Sequence, residues 1–248
     1  LALQGEHREE RLELNGRVCE MLANPVFSGS KNAGVIIILF DATEKEGREK
    51  LRREFTANVS HELKTPLTSI SGFAEIMKSG IVPAEDMGYF AGKIYDEAQR
   101  LIVLIQDIIK LSKLDEKDGM MEKEWVELDV LLEEVCERLQ PTAEKKGVHL
   151  SADVIPLGIK GVKPVLVEMA YNLCDNAIRY NRPDGKVHMT LRKEQGNAVL
   201  EVTDTGIGIP QEEQQRIFER FYRVDKARSR KTGGSGLGLA IVRSMVER

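Results

Sequence analysis

The stretch Val165-Leu166-Val167-Glu168-Met169-Ala170-Tyr171-Asn172-Leu173-Cys174-Asp175-Asn176-Ala177-Ile178-Arg179-Tyr180 carries two different faces of one helix. Leu166, Met169, Leu173 and Ala177 line the apolar face, while Glu168, Asn172, Asn176 and Arg179 fall at steps of four, four and three on the other. Asparagine is a poor helix residue, so two in register need a reason. Amide oxygens suit a hard cation such as magnesium, which keeps most of its waters and borrows phosphate oxygens. Arg179 is suited to neutralising phosphate charge. A polar helix face on its own is more often plain solvated surface, so the reading depends on what surrounds it.

Downstream, Val202-Thr203-Asp204-Thr205-Gly206-Ile207-Gly208-Ile209-Pro210 reads as a strand entering a glycine-rich turn. Asp204 is placed to accept a hydrogen bond from an exocyclic amine, and Gly206 and Gly208 permit close backbone approach. A second glycine run, Gly233-Gly234-Ser235-Gly236-Leu237-Gly238-Leu239-Ala240, leads into a helical Ile241 to Glu247. Glycines before a helix N-terminus present N–H groups and a positive dipole end to phosphate. Neither a βαβ unit before the run nor a Lys after its last glycine is present, which excludes the dinucleotide and Walker fingerprints.

Upstream, Glu44 to about Lys78 is composed of helix formers. Leu51, Phe55, Val59, Leu63, Ile70, Ala74 and Met77 form one stripe. Ser79, Gly80 and Pro83 break it, and Asp86 is placed to cap a second helix. There Met87, Ile94, Leu101 and Ile108 recur by sevens, as do Phe90, Glu97, Leu104 and Leu111, with Ala91, Ala98 and Ile105 widening the stripe. Two long helices with a short link form an antiparallel hairpin, whose half-covered stripe predicts dimerisation into a four-helix bundle. His61 lies two residues from both Val59 and Leu63, about 200° round a helix, so its imidazole is expected to point away from that core. Glu62 is the adjacent carboxylate, suited to raising the nucleophilicity of Nε2 through Nδ1. Thr65 lies one turn on, on the same face. Pro66 removes an N–H and crowds the Glu62 carbonyl, predicting a kink.

After Asp118-Gly119, Leu128 to Leu139 reads as an amphipathic helix and Val148 to Val154 as a strand. At the N-terminal end, Leu12 and Leu14 alternate with charges, Asn15-Gly16 predicts a type I′ hairpin turn, and Val18 to Val26 follows. A polar loop, Ser28 to Asn32, then precedes Val35-Ile36-Ile37-Ile38-Leu39-Phe40, which reads as a strand buried on both faces. Over the whole chain, 248 residues imply two or three modules. A net charge of −4 from 36 basic and 40 acidic residues argues against direct nucleic-acid binding. The longest apolar run, Ala33 to Phe40, has eight residues against the roughly 20 of a spanning helix. Cys19, Cys136 and Cys174, odd in number and widely spaced, suit reduced thiols in a cytosolic setting.

The octapeptide Ser60-His61-Glu62-Leu63-Lys64-Thr65-Pro66-Leu67 resembles the phosphoacceptor box of the sensor histidine kinases of two-component systems. NLCDNAIRY (172–180), DTGIGIP (204–210), IFERFYRVD (217–225) and GGSGLGLAI (233–241) resemble, in order and spacing, the nucleotide boxes of that family's ATP domain. Asp41-Ala42-Thr43, before a helix, resembles the end of a PAS sensor domain. The resemblance implies a multidomain chain: residues 1–43 the C-terminal, β-rich part of a PAS-like domain, 44–118 a helical dimerisation and phosphotransfer hairpin, and 119–248 an α/β sandwich of the histidine-kinase and chaperone ATPase type, apparently lacking C-terminal strands. It implies an ATP- and magnesium-dependent protein-histidine kinase. His61 would receive the γ-phosphoryl group, Glu62 would act as base, and Thr65 would position water when the domain dephosphorylates its partner. It further implies that Asn176 binds Mg2+, Asn172 sits beside the phosphates, Tyr180 stacks on adenine, Asp204 reads its amine and Arg223 approaches the γ-phosphate, with Arg179, Gly206, Gly208, Gly234, Gly236 and Gly238 completing the nucleotide site. Phe218 and Phe221 would seat a lid, Tyr222 to Gly233, carrying Arg223, Lys226, Arg228, Arg230 and Lys231. The implied partners are a second copy of the chain and the receiver domain of a response regulator, met by the surface of Ser69, Gly72, Phe73 and Ile76. The implied location is a cytoplasmic segment of a protein anchored in the cell membrane through segments outside this sequence. ATP-hydrolysing relatives carry a Glu where this chain has Asn172; an amide takes no proton, which favours transfer to His61 over hydrolysis. The alternative is a nucleotide-binding signalling scaffold without transfer activity.

Overall fold

The computed structural model describes residues 6–29, 31–115, 122–225 and 234–246. The chain divides into two compact units, residues 1–64 and 65–248.

In the first unit, β1 (Arg8–Leu14), β2 (Arg17–Ser28) and β3 (Lys31–Asp41) form an antiparallel meander in that order. Asn15 and Gly16 take φ of 52° and 75°, the two positive values that a type I′ turn demands, and pair Leu14 with Arg17. The strand continues through the expected polar loop, so that β3 begins at Lys31 and pairs with Ser28. Pro25 is tolerated because it lies beyond the register with β1, where β2 has one neighbour among the described residues. The reading of residues 35–40 as buried on both faces is corrected. β3 is an edge strand of a single-layer sheet, and Ile37 and Phe40 are 59% and 48% exposed. A β-branched run reports strand propensity, and burial needs a second layer that the described residues do not supply.

Helix α1 (Thr43–Lys78) follows directly. Its start is knitted to the sheet: Thr43 N–H donates to Asp41 Oδ1 at 3.0 Å, and Val18 N–H donates to Thr43 Oγ1 at 3.0 Å. Arg11 and Lys45 bridge to Glu46 and Glu20 at 2.6 and 3.1 Å. Pro66 sits buried within one continuous helical segment. A one-turn 3-10 helix (Ala84–Asp86) leads into α2 (Met87–Asp115). Phe73 and Phe90 meet edge to face, ring centroids 5.9 Å apart, on the two arms of the hairpin.

The remainder is two-layered. β5 (His149–Val154) runs parallel to β7 (Lys186–Glu194), which pairs antiparallel with β8 (Asn197–Asp204). β4 (Glu124–Glu127) and β6 (Gly158–Gly161) form a separate ribbon. Helices α3 (Leu128–Lys146) and α4 (Lys163–Arg179) supply Leu131, Leu132, Val135, Leu139, Ala170, Cys174 and Ile178 to a core closed by Val187, Met189 and Leu191. α3 runs past the expected end at Leu139, through Pro141, because Ala143 is fully buried and the helix stops only at Gly147, in the left-handed region at φ 65°. α5 (Gly238–Val246) packs on α4 and on α2. Among the described residues no helix is long and apolar enough to cross a membrane.

Candidate functional site

All eight residues of 60–67 lie within α1. His61 and Thr65 are exposed and Val59 and Leu63 half-buried, the disposition that the 200° argument requires.

The second constellation is built where α4, the end of β8 and the start of α5 converge. Asn172 is held first by its own helix: Nδ2 donates to the Glu168 carbonyl at 2.8 Å and to Glu168 Oε1 at 3.0 Å. Its Oδ1 therefore faces the other way, 3.0 Å from where a Cβ on Gly238 would stand, with Asn176 Nδ2 3.6 Å from the same point. A side chain at Gly238 would have to push the Asn172 amide back by a few tenths of an ångström, so glycine suits this close approach of α5 to the asparagine pair. Arg179 Nη2 donates to Asp175 Oδ2 at 2.8 Å, which fixes the guanidinium along the helix face. Lys146 Nζ donates to the carbonyls of Ile178 and Arg179 and closes the C-terminus of α4, a favourable place for a cation. Burial, with the nearby Arg179 charge, lowers the Lys146 pKa.

Asp204 ends β8, and its Oδ1 accepts the Gly206 N–H at 2.8 Å. A Cβ on Gly206 would lie 2.6 Å from the Tyr180 carbonyl oxygen and 2.7 Å from Asp204 Oδ1. Asp204, Thr205, Gly206, Gly208, Ile209, Gln214, Ile217 and Phe218 line an open pocket of about 650 Å³, within the usual range for a bound small molecule of roughly 300–1,000 Å³. The second glycine run is tied to neighbouring residues of the same module. Phe221 N–H donates to the Gly236 carbonyl at 2.9 Å, and the Tyr180 hydroxyl stands 3.2 Å from a Cβ built on Gly234. Arg223 follows Phe221 and is half-buried. Lys226, Arg228, Arg230, Lys231 and Gly233 lie outside the described residues.

The fold thus gathers Asn172, Asn176 and Gly238 in one cradle, and Tyr180, Asp204, Gly206 and Gly234 around a second. Asn181, which the motif reading passed over, supports the second. It is 8% exposed, its Nδ2 donates to the Lys186 carbonyl at 3.0 Å, and its Oδ1 accepts the Arg182 N–H at 2.9 Å. Thr205 Oγ1 accepts the Lys186 N–H at 2.9 Å and completes the corner behind Asp204. Pro183, Asp184 and Gly185 signal a turn there, and a turn that needs an internal amide clamp is the one available hint. Ile209 and Ile217 fall within the quoted boxes without having been singled out, and Gln214 lies outside them, because pocket walls carry no fixed spacing.

No group of three or more His, Cys, Asp or Glu side chains suited to a metal occurs among the described residues. The side-chain amides of Asn172 and Asn176 both lie at the glycine-lined cradle, and an amide there fits magnesium, which binds such sites mainly through substrate phosphates and water.

Residues 51–117 match the family described as the His Kinase A (phospho-acceptor) domain, and residues 161–248 match the family of histidine kinase-, DNA gyrase B- and HSP90-like ATPases. The chain is 40% identical over 210 residues to the sensor-like histidine kinase SenX3 of Mycolicibacterium smegmatis, an alignment covering 84% of this chain and 54% of SenX3. It is 36% identical over 218 residues to the sensor histidine kinase WalK of Bacillus subtilis, covering 86% of this chain and 36% of WalK. The chain therefore spans a third to about half of these relatives. A solved structure of full-length ShkA in complex with AMPPNP is 29% identical, with 78% of this chain and 40% of that one covered at a TM-score of 0.56. The chain thus carries, in order, the phospho-acceptor and ATPase domains that sensor histidine kinases join in one sequence.

Proposed function

We propose that this chain is the kinase part of a two-component sensor: an ATP-dependent protein-histidine kinase that phosphorylates its own His61 and hands the phosphoryl group to an aspartate of a response-regulator receiver domain. The observation that carries the reading is the pairing of the Asn172, Asn176 and Gly238 cradle with the Asp204 pocket in one α/β module, on a chain that also presents an exposed histidine followed by a carboxylate.

Each residue has a stated task. Asp204 accepts the adenine amine, and Gly206 keeps that corner narrow. The N-terminus of α5 turns its N–H groups and dipole toward the phosphates. Asn176 and the phosphates would hold magnesium, which would supply charge neutralisation. His61 Nε2 forms the new N–P bond as the bond from the γ-phosphorus to the β–γ bridging oxygen breaks, and ADP leaves with that electron pair. Glu62 takes the imidazole proton from Nδ1. The same chemistry run from phosphohistidine delivers the group to a receiver carboxylate, and Thr65 positions the water that hydrolyses the resulting aspartyl phosphate to carboxylate and inorganic phosphate. Phosphoryl transfer depends mainly on position and charge, so no further nucleophile is required. ShkA, of related fold, was solved with AMPPNP, which supports a nucleotide in this module.

Dimerisation belongs to the same proposal: Ile102, Ile105 and Ile109 stand exposed on one face of α2, an apolar surface suited to a second copy. The β1–β3 meander, closed by the Asp41–Thr43 hydrogen bond, is assigned to a PAS-like unit. The test of the reading is transfer of label from γ-labelled ATP to His61, with His61→Ala expected to stay unlabelled.

A further inference from the structure

One carboxylate stands where the helical pattern calls for an apolar residue. Asp107 lies three residues after Leu104 and four before Leu111 on α2, and both leucines are buried, at 5% and 0% exposure. A charged group on that stripe costs desolvation unless it is engaged. Its partner is not on the hairpin. Ser235, in the middle of the second glycine run, donates its hydroxyl to Asp107 Oδ2 at 2.7 Å. The same Ser235 oxygen accepts the Leu237 N–H at 3.2 Å at the entry to α5. One turn along α2, Lys110 Nζ sits 2.8 Å from Glu168 Oε1, the oxygen that also holds Asn172. The charged groups acting on Asp107 are Lys110 of α2 and Glu168 and Arg179 of α4. Burial, the largest influence, holds its carboxyl above the ordinary range.

We propose that Asp107 and Lys110 form a latch by which the phosphotransfer hairpin grips the phosphate side of the nucleotide site, so that docking of α2 and binding of a nucleotide triphosphate oppose each other. The inference rests on the nucleotide reading above. Its physical basis is charge and position. The glycine run whose N–H groups would meet the phosphates is tied, through Ser235, to an anionic side chain. A polyphosphate brought to that run meets the field of a half-buried carboxylate, where screening by water and salt is weak. Meanwhile the tether holds the run against Asn172. Accommodating phosphate is favoured when Ser235 lets go of Asp107, and release of α2 is what a phosphotransfer step needs from the hairpin. By linkage, whatever loosens α2 raises nucleotide affinity by the same factor that nucleotide loosens α2.

The test is calorimetric titration of magnesium ATP into the 248-residue chain, into Asp107→Asn and Asp107→Ala, and into Asp96→Asn, an exposed position on the same helix. Asp107→Asn removes the charge while keeping a hydrogen-bond acceptor for Ser235; Asp107→Ala removes both. The latch predicts tighter binding in both Asp107 variants, by a factor within the usual allosteric range of about 5–150, and no change in Asp96→Asn. Binding in Asp107→Asn where the parent shows none supports it as well. Unchanged or weaker binding in Asp107→Asn, with the parent binding, overturns the latch and leaves the nucleotide site standing. Absence of binding in every protein removes the nucleotide reading and the latch with it. Amide exchange gives a second reading in the parent: magnesium ATP is expected to speed exchange across residues 104–111, and unaltered exchange at saturating nucleotide contradicts the coupling.

Discussion

Gly206→Ala isolates the adenine corner from the rest of the site. A Cβ there lands 2.6 Å from the Tyr180 carbonyl oxygen, 2.7 Å from Asp204 Oδ1 and 3.2 Å from the Asn181 Cα. Two of these three neighbours are backbone, and the Tyr180 carbonyl already accepts the Ile207 N–H at 3.2 Å. The lower-cost relief is to push the Asp204 carboxylate aside. That breaks its bond to the Gly206 N–H and removes the acceptor assigned to the nucleotide amine. Added methyl groups in tight sites cost about 1–3 kcal/mol. If that strain must be relieved for nucleotide to bind, affinity falls by a factor of roughly 5–150 at about 1.4 kcal/mol per tenfold. The comparison is Gly208→Ala, where nothing lies within 4 Å and the only penalty is a φ of 70°; a left-handed alanine costs about 1–2 kcal/mol, mostly as folding stability. Magnesium ATP titration and thermal melting on both variants separate the two effects. Parent-like affinity in a folded Gly206→Ala would refute the assignment of Asp204 and Gly206 to the adenine.

Asn176→Asp is expected to weaken magnesium ATP at least tenfold, about 1.4 kcal/mol, while sedimentation shows the same oligomer, since Asn176 lies on α4 and the proposed dimer face on α2. Removing Glu62 is expected to slow autophosphorylation by roughly 10²–10⁴-fold. Thr65→Ala, by contrast, is expected to keep that rate within several-fold and to lose most phosphatase activity toward its receiver; equal loss of both, with helix content preserved by circular dichroism, rejects the division of labour. For pH, an acid whose folded pKa is raised gives stability that is full below its unfolded pKa and is lost as pH rises through the folded one. Burial raises Asp107 above 3.8, so Asp107→Asn is expected to melt above the parent at pH 7 and to converge with it toward pH 3.8, as thermal melts across that range will show.

The parts of the fold that could be read from residues alone are those whose spacing is local. The run of helix formers from Glu44 placed the start of α1 within a residue, the stripe from Leu51 to Met77 set its period, and Asn15-Gly16 gave its own turn type, because helix propensity, helix period and positive φ are written in single side chains. β7 escaped notice although Val187, Met189 and Leu191 alternate and are buried. Its hairpin to β8 turns at Gln195-Gly196, and glutamine at φ 50° is a weak turn signal. Exposure of β3 was illegible for a different reason: apolarity at Ile36 to Phe40 states what a strand is able to bury, and the covering layer is a property of tertiary structure. The glycine and asparagine motifs located both cradles. Asn181 and the Asp107–Ser235 contact were out of reach, since the first works through backbone groups of neighbouring turns and the second joins residues 128 apart.

The account stands or falls on where phosphorus goes. The parent chain and His61→Ala, incubated with γ-labelled ATP and magnesium and then split into acid-treated and alkali-treated halves, give the most direct answer. The predicted result is label on the parent that survives alkali, is lost in acid and maps to the peptide containing His61, with His61→Ala unlabelled yet binding nucleotide as the parent does. Equal labelling of His61→Ala, or acid-stable label on another residue, would contradict the assignment of His61 as the phosphoacceptor.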